Sequence, residues 1–138
     1  MQFQFKGKRV VVAGGSRGIG RSIALGFAQA GALVSICARG EDSLRQTEAE
    51  IARHGQKVHA AVCDLSDGAA VRGYVAAAAD ALGGIDLLVN NASGFGCTDD
   101  EEGWAASISV DLMATVRASQ TAMPHLLASK GSIVHISS

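Results

Sequence analysis

A chain of 138 residues with 48% hydrophobic and 18% charged residues is long enough for one domain with a buried core. Its net charge of −1 leaves no basic stripe for nucleic-acid phosphates and no electrostatic anchor for a membrane surface, so neither is expected as a partner. No apolar run approaches the ~18–20 residues of a membrane span, and the first nine residues hold no signal-like apolar core, which makes a cytoplasmic location the expectation.

The apolar run Val10-Val11-Val12-Ala13 predicts a first strand. Gly14-Gly15-Ser16-Arg17-Gly18-Ile19-Gly20 follows as a turn, and residues 21–30 carry helical spacing. Glycines at 14, 18 and 20 allow a tight turn, a ligand close to the backbone, and a helix start packed on the strand. The free N–H groups of that helix start favour an anion, so the stretch reads as a pyrophosphate cradle. Its spacing is G-x-x-x-G-x-G, not the common G-x-G-x-x-G, and it lacks the Gly-Lys-Ser/Thr of a P-loop. Alone, such a cluster equally fits an ordinary turn; the strand before it and the helix and strand (32–38) after it make a βαβ unit.

Residues 41–54 predict a second helix closed by Gly55, and 57–63 a third strand. Ser66 or Asp67 caps an alanine-rich helix reaching about Leu82, stopped by Gly83-Gly84. Residues 85–90 read as a strand buried on both faces, and 91–98 as a loop. Asp99 to Glu102 sit where a helix begins, in keeping with its dipole. Residues 104–129 are helical, with a break expected near Ile108 and a bend or an approaching end at Pro124. Residues 132–137 form a fifth strand. Alternation of this kind gives an α/β fold, a doubly wound parallel sheet in three α/β/α layers over residues 1–138.

In such a sheet the ligand lies across the carboxyl ends of the strands, so the residues after each strand are the candidates. Arg39 stands where an NAD-binding protein typically carries an acid; a guanidinium there suits the 2′-phosphate of NADP, and Arg17 can reach the same group. NADP (NADPH) is therefore expected in preference to NAD. Asp64 can accept from an adenine amino group while Leu65 covers the ring, or it can serve a helix start. Asn90 and Asn91 can tie strands together and approach a ribose, with Ala92 and Ser93 beside them. Ser137 and Ser138 end the last strand, where a hydroxyl can orient a carbonyl or alcohol. His54, His59, His125 and His135 show no metal-ligand spacing, so no metal site is expected, and His135 reads as a packed residue. Cys37, Cys63 and Cys97 read as reduced thiols, two of them in the core.

Together these residues resemble the short-chain dehydrogenase/reductase family. The resemblance rests on Lys8-Arg9-Val10 leading into the glycine turn, Asp64-Leu65, Leu88-Val89-Asn90-Asn91-Ala92, Trp104 with Val110-Asp111-Leu112, and Gly131 to Ser138 in that order. It implies a Rossmann-like fold and an NADP-dependent oxidoreductase that moves a hydride between a nicotinamide and a carbonyl or alcohol carbon. Gly14, Ser16, Arg17, Gly18, Ile19, Gly20, Arg39, Asp64, Leu65, Asn91, Ala92 and Ser93 would bind the cofactor. Ser138 aligns with the family's catalytic Ser, and Asp111 stands at its Asn, where a carboxylate cannot donate as an amide does. Ala13 replaces a Thr, and Ser93 the Gly that normally closes the Asn-Asn-Ala-Gly motif.

The family's Tyr-x-x-x-Lys would lie past Ser138, and Tyr74, followed four residues on by Ala78, is no substitute. The expectation is therefore an amino-terminal, catalytically incomplete portion lacking the last strands and helices. A homodimer or homotetramer through the long helix near 104–129 is expected as well. The alternative is a non-catalytic nucleotide-binding or interaction protein.

Overall fold

The structure is a computed structural model and describes residues 2–137. Five parallel strands, β1 (Arg9–Ala13), β2 (Leu33–Ala38), β3 (Val58–Val62), β4 (Leu87–Asn90) and β5 (Ser132–His135), form one sheet in the order β3-β2-β1-β4-β5. The helices are α1 (Gly18–Gln29), α2 (Glu41–Ala52), α3 (Gly68–Leu82), α4 (Glu101–Ala106) and α5 (Met113–Ser129). The strand order reverses at β1, which pairs with β2 through Val12↔Ile36 and with β4 through Val12↔Val89. That reversal opens a crevice above the carboxyl ends of the central strands.

Alternation along the strands divides the core into two layers. Val11, Cys37 and Leu88 face one layer, with Val71, Val75 and Ala78 of α3 and Ala114, Ala118 and Ala122 of α5. Val10, Val12, Val34, Ile36 and Val89 face the other, with Ala24 and Ala28 of α1 and Leu44 and Ile51 of α2. Alanines four apart on α5 leave no bulk between it and α3, so the helices approach closely.

The punctuation of the chain explains the element ends. Asp67 caps α3 by accepting from the N–H groups of Ala69 and Ala70, and Gly83 ends it at a φ of 82°. Asp100 caps α4 through the Gly103 N–H at 2.8 Å. Pro124 lies inside α5, which runs on to Ser129.

Most boundaries shift by one to three residues from the sequence reading, and three of the differences bear on the site and the sheet. The fourth strand starts at Leu87, although the Asp86 backbone already bonds both neighbouring strands, donating to the Arg9 carbonyl and accepting from the Ser132 N–H, while its carboxylate accepts from Arg9 N and Nε. The fifth ends at His135, although Ile136 still donates to the Asn90 carbonyl at 2.9 Å. The break near Ile108 is a π-helical turn, Ser107–Leu112, joining α4 to α5. Its side chains Ser107 and Asp111 bond the loop after β4, and single π turns of this kind, rare in general, are frequent at functional sites. His135 is exposed and not packed, and accepts from the Asn90 side-chain amide at 3.2 Å. Cys37 and Cys63 are buried and Cys97 is exposed.

Candidate functional site

A cleft of about 980 Å³ lies over the carboxyl ends of the strands, at the upper end of the volumes typical of ligand sites. Nine of the residues singled out by the sequence line it: Gly14, Ser16, Arg17, Arg39, Asp64, Leu65, Asn91, Ala92 and Ser93. They come from the turns after four strands, and the reversed strand order brings them together. Gly18, Ile19 and Gly20 make the first turn of α1 beside it. Asp111 reaches the cleft wall through Gly94. Ser138 lies outside the described residues.

The glycine turn is shaped by contact on one side and by conformation on the other. A Cβ on Gly20 would run into the Gly14 carbonyl and the Asn91 amide, so α1 can start this close to β4 only with glycine there. Gly18 has open space around it and a φ of 58°, so it is held by its backbone angle. Two side chains from distant elements fix the turn. Asn91 donates Nδ2 to the Gly14 carbonyl at 2.9 Å, and the buried Thr47 of α2 donates its hydroxyl to the Ser16 carbonyl at 2.8 Å.

No side chain caps α1 and no acid stands in its first turn, so its positive end is uncompensated. Arg21, next along α1, is taken by Glu50, and Arg45 by Glu48 and Glu41. The side chains of Arg17 and Arg39, both exposed residues, make no hydrogen bond or ion pair among the described residues. The cleft thus has two guanidiniums without a protein partner in its lining and a bare helix start beside it, which suits a multiply charged anion.

Asp64 has one carboxylate oxygen, Oδ1, engaged by the Ser66 hydroxyl at 2.7 Å and the Ser66 N–H at 3.0 Å. Those bonds, with Arg39 nearby, hold its carboxyl below the usual range and keep it ionised. Asp64 thus serves the chain at the approach to α3 and also lines the cleft. Leu65 is buried beside it. Cys63 lines the same floor against Cys37, whose thiol is pushed well above its ordinary range by the bond to Cys63 and by burial.

Tyr74, the sole tyrosine, is buried in the core and shares a 2.7 Å hydrogen bond with Ser35. It stands away from the cleft, and burial pushes its phenol up. The sequence reading missed Thr47. Its signal is a polar residue on the apolar face of α2, between Leu44 and Ile51, where only a bonded hydroxyl belongs. Gly40, Ser43 and Ser66 also line the cleft unannounced; each is small and lies next to a residue that was singled out or at a helix start.

Among the described residues no group of acids, histidines and cysteines could hold a metal ion, and no helix is long and apolar enough to cross a membrane.

A family model described as short chain dehydrogenase matches residues 8–138. The oxidoreductase YvrD of Bacillus subtilis (strain 168) is 35% identical over all of this chain and 54% of its own length. A short chain dehydrogenase from Burkholderia cenocepacia J2315, solved in complex with NADP, is 39% identical with a TM-score of 0.89 over 96% of this chain and 56% of that one. L-Sorbose reductase from Gluconobacter frateurii, solved with NADPH and L-sorbose, is 33% identical with a TM-score of 0.90 over 98% of this chain and 54% of that one. The chain spans about half the length of these relatives.

Proposed function

The chain belongs to the short-chain dehydrogenase family, and from that premise we propose that it serves an NADP-dependent oxidoreductase interconverting a carbonyl and an alcohol on a small molecule. The observation that carries the cofactor choice is that the cleft lining holds two guanidiniums without a protein partner, Arg17 and Arg39, which would suit a 2′-phosphate. NADP and NADPH occupy the related structures from Burkholderia cenocepacia and Gluconobacter frateurii, which supports the same choice here.

The residues present fit such a dinucleotide. The cradle that a Cβ on Gly20 would fill, the uncapped start of α1 and the two arginines supply an anion site of the right chemistry. The N–H groups of Gly18, Ile19 and Gly20 would hold the pyrophosphate. Arg17 and Arg39 would take the 2′-phosphate with charge-assisted hydrogen bonds, and Ser16 lines the cleft with them. The free oxygen of Asp64 would accept from the adenine amino group above Leu65. Asn91, Ala92 and Ser93 would line the ribose. When bound, the nicotinamide supplies the hydride acceptor or donor. Ser138, by the family resemblance, would orient the substrate oxygen.

Tyr74 has no part in this scheme, because its hydroxyl is spent on Ser35 inside the core. A non-catalytic nucleotide-binding role is the second reading, supported by the same cleft and by Asp111 at the place of the family's Asn. The apolar residues Trp104, Ile108, Leu112, Met123 and Leu127 stand exposed along the 104–129 helix, and they support a homodimer or homotetramer built on that face.

Titration with NADPH, followed by its fluorescence, tests the reading. Saturable binding that is tighter than for NADH is expected, and absence of binding refutes it. Turnover of a panel of carbonyl compounds by a longer chain that carries the family's Tyr-x-x-x-Lys then separates the two readings.

A further inference from the structure

The pairing of β2 with β3 brings two thiols together under the cleft. Cys37 stands opposite Ala61 in the ladder, and Cys63, two residues further on, donates its N–H to the Ala38 carbonyl at 3.0 Å. Side chains two apart on a strand point to the same face, so Cys37 and Cys63 enter the same layer, beneath α3. Among the described residues no later backbone bond ties the chain after Cys63 to β2.

The two sulfurs differ in what they face. Cys63 lines the cleft immediately before Asp64 and Leu65, whereas Cys37 is fully buried and does not reach the lining. In such a pair the thiol beside the cleft is the one that can carry charge, and the buried one stays protonated and donates to it. Accordingly the Cys63 thiol is held below its ordinary range, first by the hydrogen bond from Cys37, against the opposing effects of burial, Asp64 and Asp67. A low thiol facing an open cleft, with a second thiol against it, is the arrangement of an attacking and a resolving sulfur.

We propose that Cys63 and Cys37 are a peroxide-sensitive pair whose bridging closes the cleft to its nucleotide, a regulation that rests on the nucleotide reading of the cleft. The Cys63 thiolate attacks hydrogen peroxide: an S–O bond forms, the O–O bond breaks, and the departing hydroxide takes up the proton of the thiol as water. Cys37 then displaces the hydroxyl from Cys63: the S–S bond forms, the S–O bond breaks, and the Cys37 proton leaves with hydroxide as water. Two thiols lose two electrons, and one peroxide becomes two waters. Dithiothreitol reverses the step by thiol–disulfide exchange. Diagonal neighbours on adjoining strands stand wider than the Cα spacing of a disulfide, so bridging draws Cys63 toward β2 and carries Asp64 and Leu65 with it.

Peroxide treatment followed by alkylation and peptide mapping reads the bridge, and NADPH titration reads the cleft. A peptide linking residues 37 and 63 is expected, with NADPH affinity lowered about tenfold or more and recovered in dithiothreitol, and saturating NADPH should slow the bridging about tenfold or more. Cys37→Ala, compared with its own untreated form, should keep its affinity within about twofold through the same treatment. Cys97→Ser, which removes the exposed thiol, should respond as the unsubstituted protein does.

The proposal is overturned if no 37–63 link forms, if the link forms and NADPH affinity holds, if Cys37→Ala loses as much affinity as the unsubstituted protein, if Cys97→Ser no longer responds, or if saturating NADPH leaves the bridging rate unchanged. If the untreated protein binds no NADPH, the nucleotide reading falls and the regulation with it. The linked peptide then shows separately whether the thiol pair is redox-active.

Discussion

Asn91 reaches back from the end of β4 to donate its side-chain amide to the Gly14 carbonyl, 2.9 Å away, and so binds the loop of one strand to the glycine turn of its neighbour. Replacing Asn91 with Ala leaves that carbonyl without its side-chain donor. A cost of about 1–3 kcal/mol is expected from an unsatisfied part-buried acceptor, read as a lowered denaturant midpoint. Asn91→Asp should be worse than Ala, because it sets oxygen against oxygen. Equal midpoints for all three proteins would show that the bond does not hold the turn.

Arg39 separates the two dinucleotides. Arg39→Ala should weaken NADPH binding about tenfold or more, equivalent to roughly 1.4 kcal/mol, and leave NADH nearly unchanged. Equal losses for both ligands would remove the 2′-phosphate from this end of the cleft.

Thr47 acts on the same turn from behind. Thr47→Val keeps the shape and deletes the donor to the Ser16 carbonyl, so stability should fall by about 1–3 kcal/mol, and Thr47→Ser should recover most of it. NADPH affinity should follow the same order, since Ser16 and Arg17 line the cleft. A valine variant as stable as the threonine protein would contradict this.

Acid should weaken the sheet through Asp86. Its carboxyl is held below the ordinary range, first by the hydrogen bond from Arg9, and that bond joins the start of β1 to the residue before β4. A carboxyl depressed in the folded state adds stability that is present above its unfolded pKa and lost as pH falls through the folded value. Stability should therefore drop from about pH 5 downward, and Asp86→Asn should flatten part of that fall. An unchanged pH profile in the variant would place the acid sensitivity elsewhere.

Much of this was legible from residue order. Runs such as Val10 to Ala13 and Leu87 to Val89 mark strands buried on both faces, and the turn residues between them fall at strand ends by construction. Hence Gly14, Arg39, Asp64 and Asn91 were found without coordinates. What escaped depends on pairs remote in sequence. Thr47 meets Ser16 only because α2 packs behind the turn. His135 was misjudged because strand position does not reveal that, among the described residues, β5 has a neighbour on one side only. The π turn was seen as a break because periodicity registers a lost phase and not the hydrogen bonds that replace it.

The reversal of strand order at β1 gives the cleft a mechanical meaning as well. Arg39 and Asp64 belong to the β2–β3 half of the sheet, Asn91 and Ser93 to the β4–β5 half, and the halves meet at one strand. A ligand touching both groups is a brace across that seam, so occupancy should raise the melting temperature and sharpen the transition together. At a hundred times its dissociation constant it would add about 2.7 kcal/mol, shared between two sheet halves that otherwise lean on a single central strand.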